Sequence, residues 1–181
     1  AAMIGNVTMI VGLGFAFFGG IFVARYGAKK STTVWSWASI ALGVIMIVFC
    51  VILGPKGMSK IGVFGVPLVI FCILQIGFTA TKMVLTTTGS AMRADVVDYE
   101  LERSGNYFPA VLSGVYNFID KLITSVSSLI AGACIAMIGY VDTVPQQGDT
   151  PTWPILIMGV VVTFGLPIIG WLINVICMKK Y

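Results

Sequence analysis

The 181-residue chain contains no histidine. Histidine is the side chain most often used for proton transfer near neutral pH and a common partner of metals and nucleophiles, so most hydrolytic and metal-dependent active sites are excluded. Only 10% of the residues are charged, whereas a soluble domain carries about 25%. We therefore expect that the chain is not an enzyme.

The cysteines do not have the spacing of metal ligands, and the basic residues do not form a nucleic-acid-binding patch. The cysteines lie in apolar stretches without metal-ligand spacing, which is typical of free buried thiols: Cys50, Cys72, Cys134 and Cys177. The net charge of +4 comes from basic residues scattered at the ends of these stretches rather than gathered with aromatic residues. We expect no nucleic-acid partner and no cofactor.

Long apolar stretches dominate the rest of the sequence, which is 58% hydrophobic with a mean hydropathy of +1.01. A helix that crosses a bilayer needs about 20 apolar residues. Suitable stretches span residues 3–24, 33–53, 63–88, 109–139 and 154–177. None alternates with the two-residue period of a barrel strand. The sequence predicts an all-α, polytopic membrane bundle of five helices, with loops at residues 25–32, 54–62, 89–108 and 140–153.

The basic residues in the short loops predict the orientation. Loops 25–32 and 89–108 and the carboxyl-terminal tail are basic, whereas loop 140–153 has no Lys or Arg. We place the basic segments, and with them the carboxyl terminus, on the cytoplasmic side of the cell inner (plasma) membrane. The second loop then lies outside although it contains Lys56 and Lys60, which opposes this assignment. The other basic segments together contain more Lys and Arg residues and decide the orientation. An odd number of helices that starts outside is typical of the tail end of a longer protein.

Charged residues within the apolar stretches are candidate functional residues, because a charge at the bilayer centre costs at least about 2.5–3.5 kcal/mol. Lys121 lies roughly 18 Å from the start of its helix at Phe108, too deep for easy snorkelling. Lys82 lies nearer the cytoplasmic end and could snorkel in part. Asp120 could share a cavity with Lys121 or meet a partner such as Lys82. For Lys121, the alternative role is an ion pair that only holds helices together.

The fourth apolar stretch carries polar residues at helical spacing, which predicts one polar helix face directed into a bundle or a water-filled cavity. These residues are Ser113, Asn117, Lys121, Thr124 or Ser125, and Ser128. The hydroxyl groups have an alternative role, since they can bond back to their own helix or join helices. In the first stretch, small residues predict close helix packing: Gly12, Gly14, Gly19 and Gly20.

Acidic residues follow the third apolar stretch, in residues 92–105 (MRADVVDYELERSG). Asp95 and Asp98 share a face if this segment is helical, and they can pair with Arg93, Arg103 or the basic first loop. The alternative is a solvated acidic turn. Exposed ion pairs contribute only about 0–1 kcal/mol each, so several are needed to favour one arrangement of such a cytoplasmic clasp.

A family resemblance rests on this segment and its neighbours. Ala94-Asp95-Val-Val-Asp98-Tyr99, then Ser104-Gly105, Phe118-Ile-Asp-Lys121 and Gly139-Tyr140, resembles the carboxyl-terminal half of the glycoside/pentoside/hexuronide:cation symporters. These are melibiose-carrier relatives within the major facilitator superfamily. Residues 25–30 (RYGAKK) are similar to the family's loop between helices 8 and 9. The resemblance covers essentially the whole chain and implies helices 8 to 12 of twelve, most of one six-helix half.

The resemblance also implies a function, namely cation-coupled uptake of a sugar or glycoside by alternating access. The coupling ion, Na⁺, H⁺ or Li⁺, would be a co-substrate. The implied partners are the sugar or glycoside, membrane lipid and the amino-terminal half of the same transporter. Residues 106–109 depart from the family, in which many members carry an Arg here, and Asp120 occurs in only some branches. The sugar and the ion therefore stay open.

Roles for individual residues follow from the same resemblance. It implies that Lys121 lies beside the sugar and cation, and that Tyr116 and Asn117 face the sugar. The expected binding site comprises Lys121, Asp120, Asn117, Tyr116, Lys82 and Thr124. The expected cytoplasmic gate comprises Asp95, Asp98, Tyr99, Arg93 and Arg103.

A second function class uses the same fold without transport. In that alternative the chain is a membrane sensor or assembly subunit whose acidic segment, with Asp95 and Asp98, is a docking surface. A membrane-embedded enzyme would need a nucleophile or metal cluster within a helix, and the sequence contains none.

Overall fold

The computed structural model describes residues 2–60, 65–105, 107–137 and 152–180, with side chains described from residue 11 and not at 58–60. The helices are α1 (Ala2–Tyr26), α2 (Ala28–Lys60), α3 (Val66–Ser104), α4 (Pro109–Met137), α5 (Trp153–Val160) and α6 (Leu166–Lys180). A π-helical turn, Val161–Gly165, joins α5 and α6 into one continuous helix. The described residues contain no strand.

The lengths of these helices confirm the predicted all-α membrane bundle. Within the described residues, four helices are long and apolar enough to cross a membrane: Ala28–Gly57, Val66–Ser104, Pro109–Met137 and Trp153–Lys180. Val11–Tyr26 is a shorter apolar helix. Residues 61–64, 106 and 138–151 lie outside the described part, and with them most of the predicted fourth loop and the Gly139-Tyr140 motif.

The helices include most residues of the predicted first and third loops. At the predicted second loop, α2 has a kink at Gly54, where φ is +64° and the backbone is not helical. Gly27 alone separates α1 from α2; its φ of +80° favours glycine, and its N–H donates to the Val23 carbonyl at 2.8 Å. α3 continues through residues 89–104 and ends at Gly105. This segment contains no proline, and Gly89 costs a helix only about 1 kcal/mol. The acidic residues therefore lie on a helix rather than in a loop.

α3 packs against both α1 and α2. α1 approaches α3 closely at two of its glycines. A Cβ added to Gly12 would lie 3.2 Å from the Met83 side chain, and one added to Gly19 would lie 3.2 Å from the Cα of Val84. Gly14 has open space around it. Only part of the predicted glycine set, including Gly12 and Gly19, therefore makes the close contact.

α2 turns a face of small hydroxyl residues into the bundle. Its buried polar residues are Ser31, Thr32, Ser36 and Ser39. The Thr32 hydroxyl donates to the Ala28 carbonyl at 2.8 Å and lies 3.5 Å from the Met92 sulfur of α3. Small side chains allow two helices to approach closely where lipid offers no hydrophobic driving force between them. This face therefore sets the spacing between α2 and its neighbours.

An aromatic cluster joins α2 and α3 to the last helix. The Phe78 ring meets Phe164 edge-on, with ring centroids 5.2 Å apart, and meets Trp171 at 5.5 Å. Met46 and Cys50 of α2 are buried against the same cluster. Edge-to-face pairs of this kind add about 0.5–1.5 kcal/mol each beyond the area that they bury. The cluster fixes the last helix against α2 and α3.

We expect Gly19→Leu to lower the free energy of unfolding by about 1–3 kcal/mol, because the added side chain would force α1 away from the α3 backbone. Gly14→Leu is the matched control on the same helix and faces open space. Unfolding in detergent can be followed by labelling of the buried Cys50 thiol with a thiol-reactive dye, in a protein whose Cys72, Cys134 and Cys177 are replaced by serine. Equal midpoints for the two variants would contradict the close approach of α1 and α3.

Candidate functional site

α4 carries the candidate binding residues on a helix with no buried residue among those described. Its apolar side chains are as exposed as its polar ones: Phe118 is 66% exposed and Leu129 is 74% exposed. Asp120 and Lys121 are both exposed. A polar helix face cannot be satisfied by lipid. α4 therefore presents a polar surface that the described helices leave uncovered.

Four hydroxyl groups in the second half of α4 bond to their own backbone. Thr124 donates to the Asp120 carbonyl at 2.8 Å, and Ser125 donates to the Lys121 carbonyl at 2.9 Å. Ser127 and Ser128 make the same bond one turn back, at 2.8 and 3.0 Å. This is the structural alternative that the sequence left open for these residues. The hydroxyls keep their acceptor lone pairs, but their protons are used within the helix.

The charged side chains of Lys82, Asp120 and Lys121 do not contact one another within the described residues. Within the described residues, the side chains of Asp120 and Lys121 have no hydrogen-bond or ion-pair partner. The Lys82 ammonium lies 5.6 Å from the centre of the Phe78 ring on its own helix. The suggested pairing of Asp120 with Lys82 is therefore absent from this arrangement of helices.

Three of the expected site and gate residues do come together, in a pocket between α3 and α4. The Arg93 guanidinium lies 5.2 Å from the centre of the Tyr116 ring, a cation–π contact. Asn117 and Ser113 complete the polar lining of this cavity of about 180 Å³. We call it the α3–α4 pocket. Lys121 follows Asn117 by four residues and so lies one turn further along the same helix face.

The α3–α4 pocket can hold a small polar group. Arg93 supplies fixed donors and a positive charge, and Asn117 supplies both a donor and an acceptor. Tyr116 offers an aromatic face. Sequence reasoning placed Arg93 only in the gate, because its contact with α4 depends on how two helices lie against each other.

A second cavity, of about 560 Å³, lies at the turn between α1 and α2. Lys29, Lys30 and Asp95 line it together with Tyr26, Gly27, Ala28, Thr33 and Val34. We call it the basic-turn pocket. Asp95 of α3 thus lines the same cavity as the basic turn. Among the described residues, no ion pair joins Asp95 to Lys29 or Lys30. Asp98, Tyr99 and Arg103 are exposed and do not line this cavity.

Sequence reasoning missed one further cavity, which lies among α2, α3 and α5 and includes Gln75 and Thr163 in its lining. A lone glutamine in an apolar stretch was the signal that could have indicated it. Among the described residues there is no group of three or more Cys, Asp or Glu that could hold a metal ion.

A comparison with known families gives a match over the whole chain. The family model described as MFS/sugar transport protein matches residues 1–181. No curated protein and no solved structure matches the chain.

We expect Arg93→Gln and Tyr116→Leu each to lower the free energy of unfolding by about 0.5–1 kcal/mol, the usual value of an exposed cation–π contact. Because both variants remove the same contact, the double variant should lose no more than either alone. The thiol-labelling assay provides the measurement. Tyr107→Leu is the control partner, since Tyr107 is exposed and does not contact Arg93. Full additivity of Arg93→Gln with Tyr116→Leu would contradict the contact.

Proposed function

We propose a function for this chain from its family: it belongs to the MFS/sugar transport protein family, whose model matches residues 1–181. Membership identifies a transporter of the major facilitator superfamily rather than an enzyme. The proposed activity is secondary active transport, in which a sugar or glycoside moves together with Na⁺ or H⁺ by alternating access. The resemblance to the glycoside/pentoside/hexuronide:cation symporters supports this finer assignment.

The observation that carries the proposal is the uncovered polar face of α4. Lys121 lies on this face, deep within a helix long enough to cross a membrane. Keeping a charge at that depth costs several kcal/mol unless water, substrate or a second set of helices surrounds it. A substrate pathway supplies such surroundings.

The proposed binding site extends along α4 from the α3–α4 pocket. Asn117 and Tyr116 would bond to and stack on the sugar, Lys121 would donate to a sugar hydroxyl or to a carboxylate of the cation site, and Asp120 would attract the coupling ion. Thr124 contributes an acceptor oxygen. Lys82 has the weakest support, since the only contact of its ammonium among the described residues is with the Phe78 ring of its own helix.

We further propose that this chain forms helices 8 to 12 of a twelve-helix transporter, residues 1–181 being a partial carboxyl-terminal domain. The amino-terminal half would then cover α4. The absence of any buried residue among those described on α4 supports this arrangement. Substrate sites of such transporters lie near the midplane between the two halves.

The proposed orientation places the basic turn between α1 and α2, and the carboxyl terminus, in the cytoplasm of the inner membrane. Lys179 and Lys180 in the last turn of α6 support it. The acidic end of α3 would then belong to a cytoplasmic gate. Asp95 is its leading member because it lines the basic-turn pocket with Lys29 and Lys30.

We expect Lys121→Ala, made in the transporter that carries this chain, to reduce cation-driven sugar uptake at least tenfold. The reason is that a hydrogen bond to a charged group contributes about 1.5–3 kcal/mol. Uptake is measured in proteoliposomes with an imposed cation gradient. Lys180→Ala is the control, an exposed lysine at the end of α6. Unchanged uptake and affinity in Lys121→Ala would contradict the assigned role. Sugar binding without counterflow in the unmodified protein would indicate the sensor function instead.

We expect Asp95→Asn to remove most of the salt dependence of counterflow. Added salt screens the attraction between Asp95 and the basic turn, and the neutral variant lacks that attraction at any salt concentration. The change in rate should be up to about fivefold, because exposed pairs contribute about 0–1 kcal/mol. Asp98→Asn is the matched control and should keep the salt dependence. A full salt response in Asp95→Asn would contradict the gate assignment.

A further inference from the structure

The cavity among α2, α3 and α5 has no place in the proposed transport site. It holds about 380 Å³ and is lined mainly by apolar side chains, including Cys50, Phe71, Leu156 and Phe164. We call it the lateral pocket. A cavity of about 150 Å³ already admits benzene, and ligand sites in proteins commonly start near 300 Å³. The lateral pocket therefore has room for an apolar molecule of several carbon atoms.

Two polar groups in this lining lack hydrogen-bond partners. Oε1 of Gln75 is buried and accepts no hydrogen bond within the described part of the chain. The Thr163 hydroxyl likewise makes no bond among the described residues. Its behaviour differs from that of Thr32, Thr86 and Thr124, which each donate to the carbonyl four residues earlier.

The π-helical turn gives a reason for this difference. Thr163 lies at the centre of Val161–Gly165, where the hydrogen-bond register lengthens from four residues to five. The Leu166 N–H accordingly donates to the Val161 carbonyl. Such single π turns in longer helices are often found at functional sites. The turn leaves the Thr163 hydroxyl available to the lateral pocket.

The unpartnered groups lie below the membrane surface. Gln75 is nine residues from the start of α3 and Thr163 is ten residues from the start of α5, each about 14–15 Å along its helix. Pro55 and Thr152 mark the outer end of the lateral pocket, because they also line a neighbouring cavity that includes Trp153. Tryptophan at such a position is typical of the membrane interface. The pocket thus runs from the interface towards polar groups in the apolar layer.

We propose that the lateral pocket binds a small, mainly apolar molecule that carries one hydroxyl group, an aliphatic alcohol or a phenol. Such a hydroxyl accepts from Thr163 and donates to Oε1 of Gln75, a buried oxygen that a rotation of the side-chain amide brings to the pocket. The carbon body of the ligand fills the space beside Phe71, Leu156 and Phe164. This pairing removes the cost of leaving the buried Gln75 oxygen unsatisfied, about 1–3 kcal/mol. It also gives the exposed Thr163 hydroxyl a partner that lipid cannot provide. An acyl chain of a lipid would fill the same space but leave both groups without partners. The proposal does not depend on the identity of the transported substrate.

The test uses photoreactive probes on the purified transporter in lipid nanodiscs. One probe is an octanol that carries a diazirine, and the other is the matching diazirine octane without the hydroxyl. We expect the alcohol probe to label peptides that contain Cys50, Phe71 or Leu156, with saturation and competition by octanol. Gln75→Leu should weaken this labelling about fivefold, the effect of one lost hydrogen bond. Labelling by the octane probe should not fall.

Further variants keep the proposal falsifiable if Gln75→Leu fails to fold. Thr163→Val preserves the side-chain shape and should also reduce labelling by the alcohol probe about fivefold. Gly159→Phe should block both probes, because Gly159 lines the lateral pocket and has open space where a Cβ would stand. Gly170→Phe is its matched control, with equal space outside the pocket. Equal labelling by both probes that Gln75→Leu and Thr163→Val leave unchanged would overturn the proposal and indicate a site for acyl chains.

Discussion

A bilayer offers no hydrogen-bond partners, and this constraint determines how the described helices are built and packed. Backbone groups are satisfied within each helix, and most of the threonine and serine hydroxyls bond back to a carbonyl three or four residues earlier, as in Thr81 and Thr88. Association then depends on shape rather than on the hydrophobic effect. α3 accordingly packs against α1 where glycine allows backbone contact, and α2 turns small hydroxyl residues inward.

The same constraint applies to α4, but on this helix some polar side chains have no partner among the described residues. Four of its hydroxyls bond to its own backbone. The side chains of Asn117, Asp120 and Lys121 make no such bond among the described residues. Lipid cannot surround them, and α1, α2, α5 and α6 do not bury them. The polar face therefore requires either water or further helices. The interface between two halves of a transporter provides both water and further helices. This is the reason for our proposed function.

The sequence predicted the helical membrane fold, because hydropathy and helix length are local properties that a sequence states directly. It predicted the polar face of α4 for the same reason. It was wrong about the acidic segment, since Gly89 and Ser90 resemble loop residues but α3 continues through them. Contacts between helices were the hardest to anticipate. Arg93 contacts Tyr116, and Asp95 shares a cavity with the basic turn, only because of how α3 lies against its neighbours. No local pattern encodes that geometry.

The packing of α3 also bears on how such a bundle can move. Its glycine contact with α1 and its aromatic cluster with the last helix leave little room for sliding, since packed cores change between discrete arrangements rather than deform continuously. α4 is joined to α3 by a lighter contact, the Arg93–Tyr116 pair. That contact contributes about 0.5–1 kcal/mol, which thermal energy or a bound substrate can exceed. The contact of α4 with the other described helices is therefore weaker than the contacts that join α1, α2 and α3. Within the described residues, the polar side chains of α4 lie on the helix that its neighbours bury least. In the proposed transporter, the amino-terminal half would supply the remaining contacts of this helix.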